Sequence, residues 1–279
     1  MVYIMTITTI GIIGTGNMGS AMMKGLINKG IIKASKINAF DVNKALLDTQ
    51  KAELGINTAF ATNKELVQGS NLIIMAVKPQ VLKEVLQEIA EDLATSKPMI
   101  SIVTGVPMAY YEKIAGKKFP LARCMPNTPA LVNAGVTAVA FNEFAQADFK
   151  ADSKKILGSI GNVHEVPEKY LDAVTGLSGS GPAYVFYFLE GLIDGGVKMG
   201  LPRDLARALV LDTVAGSVKL VQETNKHPMV LKDQVTTPGG TTVEGLQVLE
   251  DGNFRGILIK AVDAAAKKSK VLSDNIMQQ

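Results

Sequence analysis

Thr6-Ile7-Thr8-Thr9-Ile10-Gly11-Ile12-Ile13 passes without a break into Gly14-Thr15-Gly16-Asn17-Met18-Gly19 and then into Ser20–Asn28. The first run, of apolar and β-branched residues, reads as a buried strand, and the last has helical character. Between them, Gly14-x-Gly16-x-x-Gly19 stands in the strand-to-helix context that a dinucleotide fingerprint requires. Gly14 permits the tight turn, Gly16 lets the backbone approach a pyrophosphate, and Gly19 lets the helix pack closely on the strand. The helix N-terminus offers free N–H groups and a partial positive charge to the phosphates. Asp41 closes the next strand, 22 residues past Gly19. A carboxylate there can accept both ribose hydroxyls of NAD(H) and would repel a 2′-phosphate. Lys44, three residues on, can partly neutralise such a phosphate. Asp41 also reads as a turn or N-cap residue before a helix at Asn43, and the glycines alone also fit a turn with no ligand.

Outward from this loop, strand-like and helix-like stretches alternate. Strands are expected at Lys36–Phe40, Leu72–Val77, Met99–Val103, Leu121–Cys124 and Thr137–Phe141, with helices at Asn43–Glu53 and Gln80–Leu93. Such alternation predicts a parallel, doubly wound sheet with helices on both faces. Ala76-Val77-Lys78-Pro79 ends the third strand, where an open α/β sheet places its ligand crevice. Lys78 reads there either as a phosphate or ribose contact or as a solvated lysine. Near residues 160–168 the character changes: apolar residues recur at helical spacing in Ala183–Gly195, Leu205–Val221 and Phe254–Val271. The expected division is an α/β dinucleotide-binding domain over 1–163 and an all-α domain over 164–279. Long apolar helical faces without strands to cover them suit an obligate dimer, although a bundle packed on the sheet also accounts for them.

The 279 residues, 47% hydrophobic and 20% charged, suit a globular chain of two domains. A net charge of 29 − 26 = +3 is too weak to suggest a nucleic-acid partner. A single cysteine, Cys124, excludes an internal disulfide, and the two histidines, His164 and His227, form no metal-ligand spacing with it. No run approaches the ~18 apolar residues of a membrane span. Met1–Ile13 lacks the basic start and the cleavage site of a signal peptide. A cytoplasmic protein with no membrane or nucleic-acid partner is expected.

In the second half the informative stretch is Thr236-Thr237-Pro238-Gly239-Gly240-Thr241-Thr242-Val243-Glu244. Thr241 with Glu244 three residues later is a capping-box pattern opening a helix over Val243–Glu250. A cap leaves the other residues unexplained. Two glycines expose backbone N–H groups, and Thr237 and Thr242 place hydroxyls beside a helix N-terminus, which makes a carboxylate-sized anion site without arginine. Leu177–Tyr184 is a small-residue stretch suited to close helix crossing or to holding a ring. Arg123–Ala130 is a proline-bearing loop in which Asn127 either serves a nicotinamide crevice or fixes the loop.

With these stretches in view, the chain resembles the pyrroline-5-carboxylate reductase family over nearly its whole length. The likeness rests on GTGNMG at Gly14–Gly19, AVKPQ at Ala76–Gln80, RCMPNTPALV at Arg123–Val132 and TGLSGSGPAYVF at Thr175–Phe186. It continues in DGGVKMGLPR at Asp194–Arg203 and TTPGGTTVEGLQVLE at Thr236–Glu250. The resemblance implies a Rossmann-type domain followed by an all-helical domain that intertwines in a homodimer, with dimers assembling further. It implies NADPH- or NADH-dependent reduction of 1-pyrroline-5-carboxylate to L-proline by hydride transfer to a cyclic imine. Cofactor contacts carry over to Ile13, Gly14, Thr15, Gly16, Asn17, Met18, Asn63, Ala76, Val77, Lys78, Pro79 and Thr104. Substrate contacts carry over to Glu168, Thr237, Gly240, Thr241 and Thr242. Four positions depart from the family habit: Thr237 stands where Ser is frequent, Thr104 where Ala is common, Gln234 where Asn is common, and Asp41 where a neutral residue goes with NADPH.

Reduction of a cyclic imine needs a hydride donor, a held carboxylate and one proton at nitrogen. A substrate bound already protonated demands no strong general acid, and Thr242 is the candidate catalytic hydroxyl that orients the ring nitrogen. A β-hydroxyacid dehydrogenase on the same scaffold would want a catalytic lysine near Gly179–Gly181, and apolar residues follow that stretch. A dinucleotide sensor without turnover would leave the Thr237–Thr242 loop without a purpose.

Overall fold

The computed structural model describes residues 7–93 and 97–278. Thr6, the first residue of the expected strand Thr6–Ile13, lies outside them. The chain begins with β1 (Ile10–Ile13), α1 (Asn17–Asn28), β2 (Ile37–Phe40), α2 (Lys44–Leu54), α3 (Asn63–Gln68), β3 (Leu72–Met75) and α4 (Leu82–Leu93). It continues through β4 (Met99–Ser101), α5 (Met108–Ala115), β5 (Leu121–Met125), β6 (Gly135–Phe141), α6 (Ala147–Leu157), β7 (Gly161–Glu165) and α7 (Leu171–Val174). After a turn of π-helix at Thr175–Gly179 come α8 (Gly181–Lys198), α9 (Arg203–Thr224), α10 (Pro228–Gln234), α11 (Thr241–Asp251) and α12 (Phe254–Met277).

One seven-stranded sheet has the order β2-β1-β3-β4-β5-β6-β7. The period-2 pattern sorts its side chains onto two faces. Ile10, Ile12, Ile37, Ala39, Leu72, Ile74, Ile100, Ala122, Cys124 and Val139 join Met22, Met23 and Leu26 of α1 and Phe149 and Ile156 of α6 in one buried cluster. Ile13, Ile73, Met75, Met99, Leu121 and Ala138 join Leu66 of α3 and Tyr111 of α5 in another. Leu82, Leu86, Ile89 and Leu93 lie at i, i+4, i+7 and i+11, one helical stripe, and enter this second cluster. Caps fix the short helices: Asn43 accepts from the Leu46 N–H at 3.2 Å to open α2, and Thr62 accepts from the Glu65 N–H at 3.1 Å to open α3.

Two expectations are corrected. The sheet is not wholly parallel: β6 runs antiparallel to β5, and the other pairs are parallel. The nine residues 126–134 between β5 and β6 are too few for the dozen or so of a parallel crossover, so the strand returns. Strand character also does not stop near residue 162, because β7 pairs with β6 from Gly135↔Gly161 to Val139↔Glu165.

By compactness the chain divides into Met1–Ser180 with Ala264–Gln279, and Gly181–Asp263. The second unit is wholly helical. Within it the Phe188 and Phe254 rings lie 6.0 Å apart, and Arg203 bridges Glu190 and Asp194 at 3.2 and 2.7 Å. Among its described residues only Ile193 and Ala206 are buried apolar side chains. No helix of the described residues is long and apolar enough to cross a membrane.

Candidate active site

Strands β1 to β5 point the same way, so their carboxyl ends share one edge. The chain leaves β1 toward β2 on one side and returns to β3 on the other, which makes the end of β1 and β3 the switch point where α/β sheets hold ligands. Gly14 sits there at φ +95°, and its N–H donates to the Phe40 carbonyl at 2.9 Å. A side chain on Gly14 would meet the Ala76 carbonyl at 2.7 Å, and one on Gly19 would collide with the Gly14 carbonyl. At Gly16 an added Cβ meets nothing within 4 Å, so the loop is open where the α1 N-terminus begins. That opening, with exposed Gly16 and Asn17, fits a pyrophosphate approaching the backbone.

The residues expected to hold the cofactor gather along this edge. Ile13 and Thr15 are buried beneath the loop and Met18 is half-buried. Ala76 and Val77 are half-buried, Lys78 is exposed, and Pro79 opens a 3-10 turn after β3. Thr104 is exposed beyond β4, with its hydroxyl 3.9 Å from the Met125 sulfur. Asn63 is the first residue of α3 and is 7% exposed. Its amide nitrogen donates to Glu88 at 2.7 Å, and its Oδ1 is buried without a hydrogen-bond partner. Asp41 does not cap α2, since Asn43 does. Its Oδ1 accepts from the Asn43 N–H at 2.9 Å, and its Oδ2 from the Thr15 N–H at 2.7 Å and the Thr15 hydroxyl at 3.1 Å.

Of the residues expected to hold substrate, Glu168 belongs to the first unit and Thr237, Gly240, Thr241 and Thr242 to the second. Glu168 Oε1 accepts from the Met108 N–H at 2.7 Å and from the Arg123 guanidinium at 2.9 Å. Arg123 lies within β5, with its side chain 8% exposed. Its role was missed, yet a signal existed: an arginine inside the apolar run Leu121–Cys124 has to find a buried partner. Close by, the Tyr111 hydroxyl pairs with Ser101 Oγ at 2.5 Å, and burial pushes the phenol up from its ordinary pKa, keeping it protonated. Asn127 fixes its loop. Its Oδ1 accepts from the Val136 N–H at 2.9 Å, and its Nδ2 donates to the Ser178 carbonyl of the π-turn at 3.1 Å.

The threonine–glycine loop is built as a bend before α11. Gly239 takes φ +69° and the Gly240 N–H donates to the Thr237 carbonyl at 2.9 Å. The capping-box expectation is corrected here, because the helix opens at Thr241 with Gly240 in the cap position and no side-chain cap. Thr241 and Thr242 are the first two helical residues, so their N–H groups have no intrahelical acceptor. Two hydroxyls and two free amides therefore stand together at one helix start, a donor set for a carboxylate.

The family described as "Pyrroline-5-carboxylate reductase dimerisation" matches residues 168–272, and "NADP oxidoreductase coenzyme F420-dependent" matches residues 9–105. The chain is 43% identical over 267 residues to a pyrroline-5-carboxylate reductase of Synechocystis sp., covering 94% of this chain and 97% of that one. It is 40% identical over 267 residues to that of Arabidopsis thaliana, covering 95% and 96%. A crystal structure of the Plasmodium falciparum pyrroline carboxylate reductase with NADP bound superposes at a TM-score of 0.88. That protein is 37% identical, and the match covers 96% of this chain and 99% of that one. The chain belongs to the pyrroline-5-carboxylate reductase family.

Proposed function

We propose that this protein reduces 1-pyrroline-5-carboxylate to L-proline, the last step of proline biosynthesis, with NAD(P)H as the reductant. The observation that carries the reading is the open glycine loop at the β1–β3 switch point, in a chain whose family likeness spans both halves. The dinucleotide would lie along Ile13–Met18, Asp41, Asn63, Ala76–Pro79 and Thr104, and when bound it supplies the hydride that the imine carbon receives. The residues of this chain bind and orient. The free amides of Thr241 and Thr242, with the Thr237 hydroxyl, hold the substrate carboxylate, and the Thr242 hydroxyl accepts from the protonated imine nitrogen. Gly240 brings the backbone close. Positioning supplies the larger part of the rate, because the protonated imine is already electrophilic. Glu168, which the family likeness places among the substrate contacts, is held in position by the Arg123 guanidinium and the Met108 N–H.

We divide the work between a dinucleotide-binding part, 1–163, and a substrate-binding and dimerisation part, 164–279. The working form is a homodimer or an assembly of dimers. The dimerisation family matched at 168–272 and the exposed apolar side chains of α8 and α9 support it. Its compartment is the cytoplasm, in keeping with a lone, unpaired Cys124. Loss of NADH or NADPH absorbance only when pyrroline-5-carboxylate is present, with proline as product, is the expected result. Oxidation of the nucleotide at the same rate without the imine would overturn the reading.

A further inference from the structure

Both oxygens of Asp41 are held by the protein. Oδ2 accepts from the backbone N–H and the hydroxyl of Thr15, and Oδ1 from the N–H of Asn43. Thr15 is wholly buried, in the middle of the loop that cradles the pyrophosphate. Asp41 therefore cannot swing aside without releasing two buried donors of that loop and the turn into α2. A carboxylate offers about four lone-pair sites, of which three are used here. The remaining acceptor suits a ribose hydroxyl, and the fixed charge opposes a phosphate on the same carbon. The nearest compensating cation in sequence, Lys44, is exposed at the start of α2, where water and salt screen it.

From this geometry we infer that Asp41, clasped by Thr15, makes the nucleotide pocket select NADH over NADPH. The inference rests on the dinucleotide reading above and adds to it the specificity-determining residue.

Equilibrium binding of NADH and of NADPH to the full-length protein, followed by nucleotide fluorescence without substrate, tests it. Wild type is expected to hold NADH at least about tenfold more tightly than NADPH. Asp41→Asn, which keeps the shape and removes the charge, is expected to narrow or reverse that ratio by at least about tenfold. Asp41→Ser is expected to shift it the same way and to weaken NADH. Thr15→Val, which loosens the clasp and leaves the charge, is expected to weaken NADH while preserving the direction of preference. Thermal midpoints of the three variants verify folding, and Asp41→Asn is the least disruptive. Wild-type preference for NADPH, or an unchanged ratio in folded Asp41→Asn, overturns this inference alone. Binding of neither nucleotide overturns it together with the dinucleotide reading.

Discussion

Leu26, Ile74 and Leu86 in the first unit are fully enclosed, whereas Phe186, Tyr187, Leu209 and Ile259 in the second are 61, 86, 50 and 60% exposed. Both units are comparably rich in apolar side chains, so composition does not explain the contrast. The sheet has two faces, and each is covered by helices from the same chain. The second unit presents exposed apolar side chains on α8, α9, α11 and α12 and buries only Ile193 and Ala206 among its own apolar residues. Apolar surface exposed over several neighbouring helices marks a face that takes a partner. The comparison teaches that the first unit carries a finished core, while the second is half of one, completed in our reading by a second copy.

Breaking the contrast calls first for a charge on the unfinished side. Phe186→Glu is expected to weaken self-association by about 4 kcal/mol, as loss of an interface anchor does, read by sedimentation velocity across a dilution series. Undiminished association would remove α8 from the interface. Leu26→Ala strikes the finished side and should cost about 3–4 kcal/mol in denaturant unfolding with association unchanged. A shift in association in that variant would mean that the two units do not act separately. Arg123→Ala leaves the Glu168 carboxylate without its partner. It should cost about 2–3 kcal/mol of stability, the low end for a broken buried pair because Glu168 is a third exposed, while Glu168→Gln costs less. Equal costs in the two variants would show that the pair's charge is immaterial.

The smallest effects separate chemistry from capping in the Thr237–Thr242 loop. Thr242→Ala should lower kcat/KM by about 1–2 kcal/mol with nucleotide affinity held, the loss of one hydrogen bond to substrate. Thr241→Ala should change thermal stability by no more than about 0.5 kcal/mol, since Gly240 holds the cap position. A stability loss in Thr241→Ala of about 1 kcal/mol would restore the cap interpretation.

Much of this was legible in the sequence, for local reasons. The glycine spacing and the strand-end position of Asp41 are short-range signals that land where the reading put them, while of the run expected as a strand from Thr6 only Ile10–Ile13 forms one. What escaped depends on partners distant in sequence. Gly161–Glu165 is a half-exposed edge strand without apolar alternation, and pairing with β6 alone makes it a strand. The reversal of β6 leaves no trace in a period-2 pattern, which has no direction. Arg123 and Glu168 are 45 residues apart, so no local motif joins them. At Thr241 the capping-box pattern misled, because the helix opens at Thr241 itself with Gly240 in the cap position and no side-chain cap.

Cys124 faces the first cluster from β5, is 2% exposed, and burial drives its thiol up from its ordinary pKa. As the sole cysteine of the chain, it converts a common laboratory reagent into a clock. A thiol-alkylating probe has nothing to modify until the sheet parts at β5, so the rate of labelling under native conditions times that event. Rearrangements confined to the C-terminal helices pass unrecorded. The unaltered protein thus reports how often the sheet around β5 opens, without an engineered label.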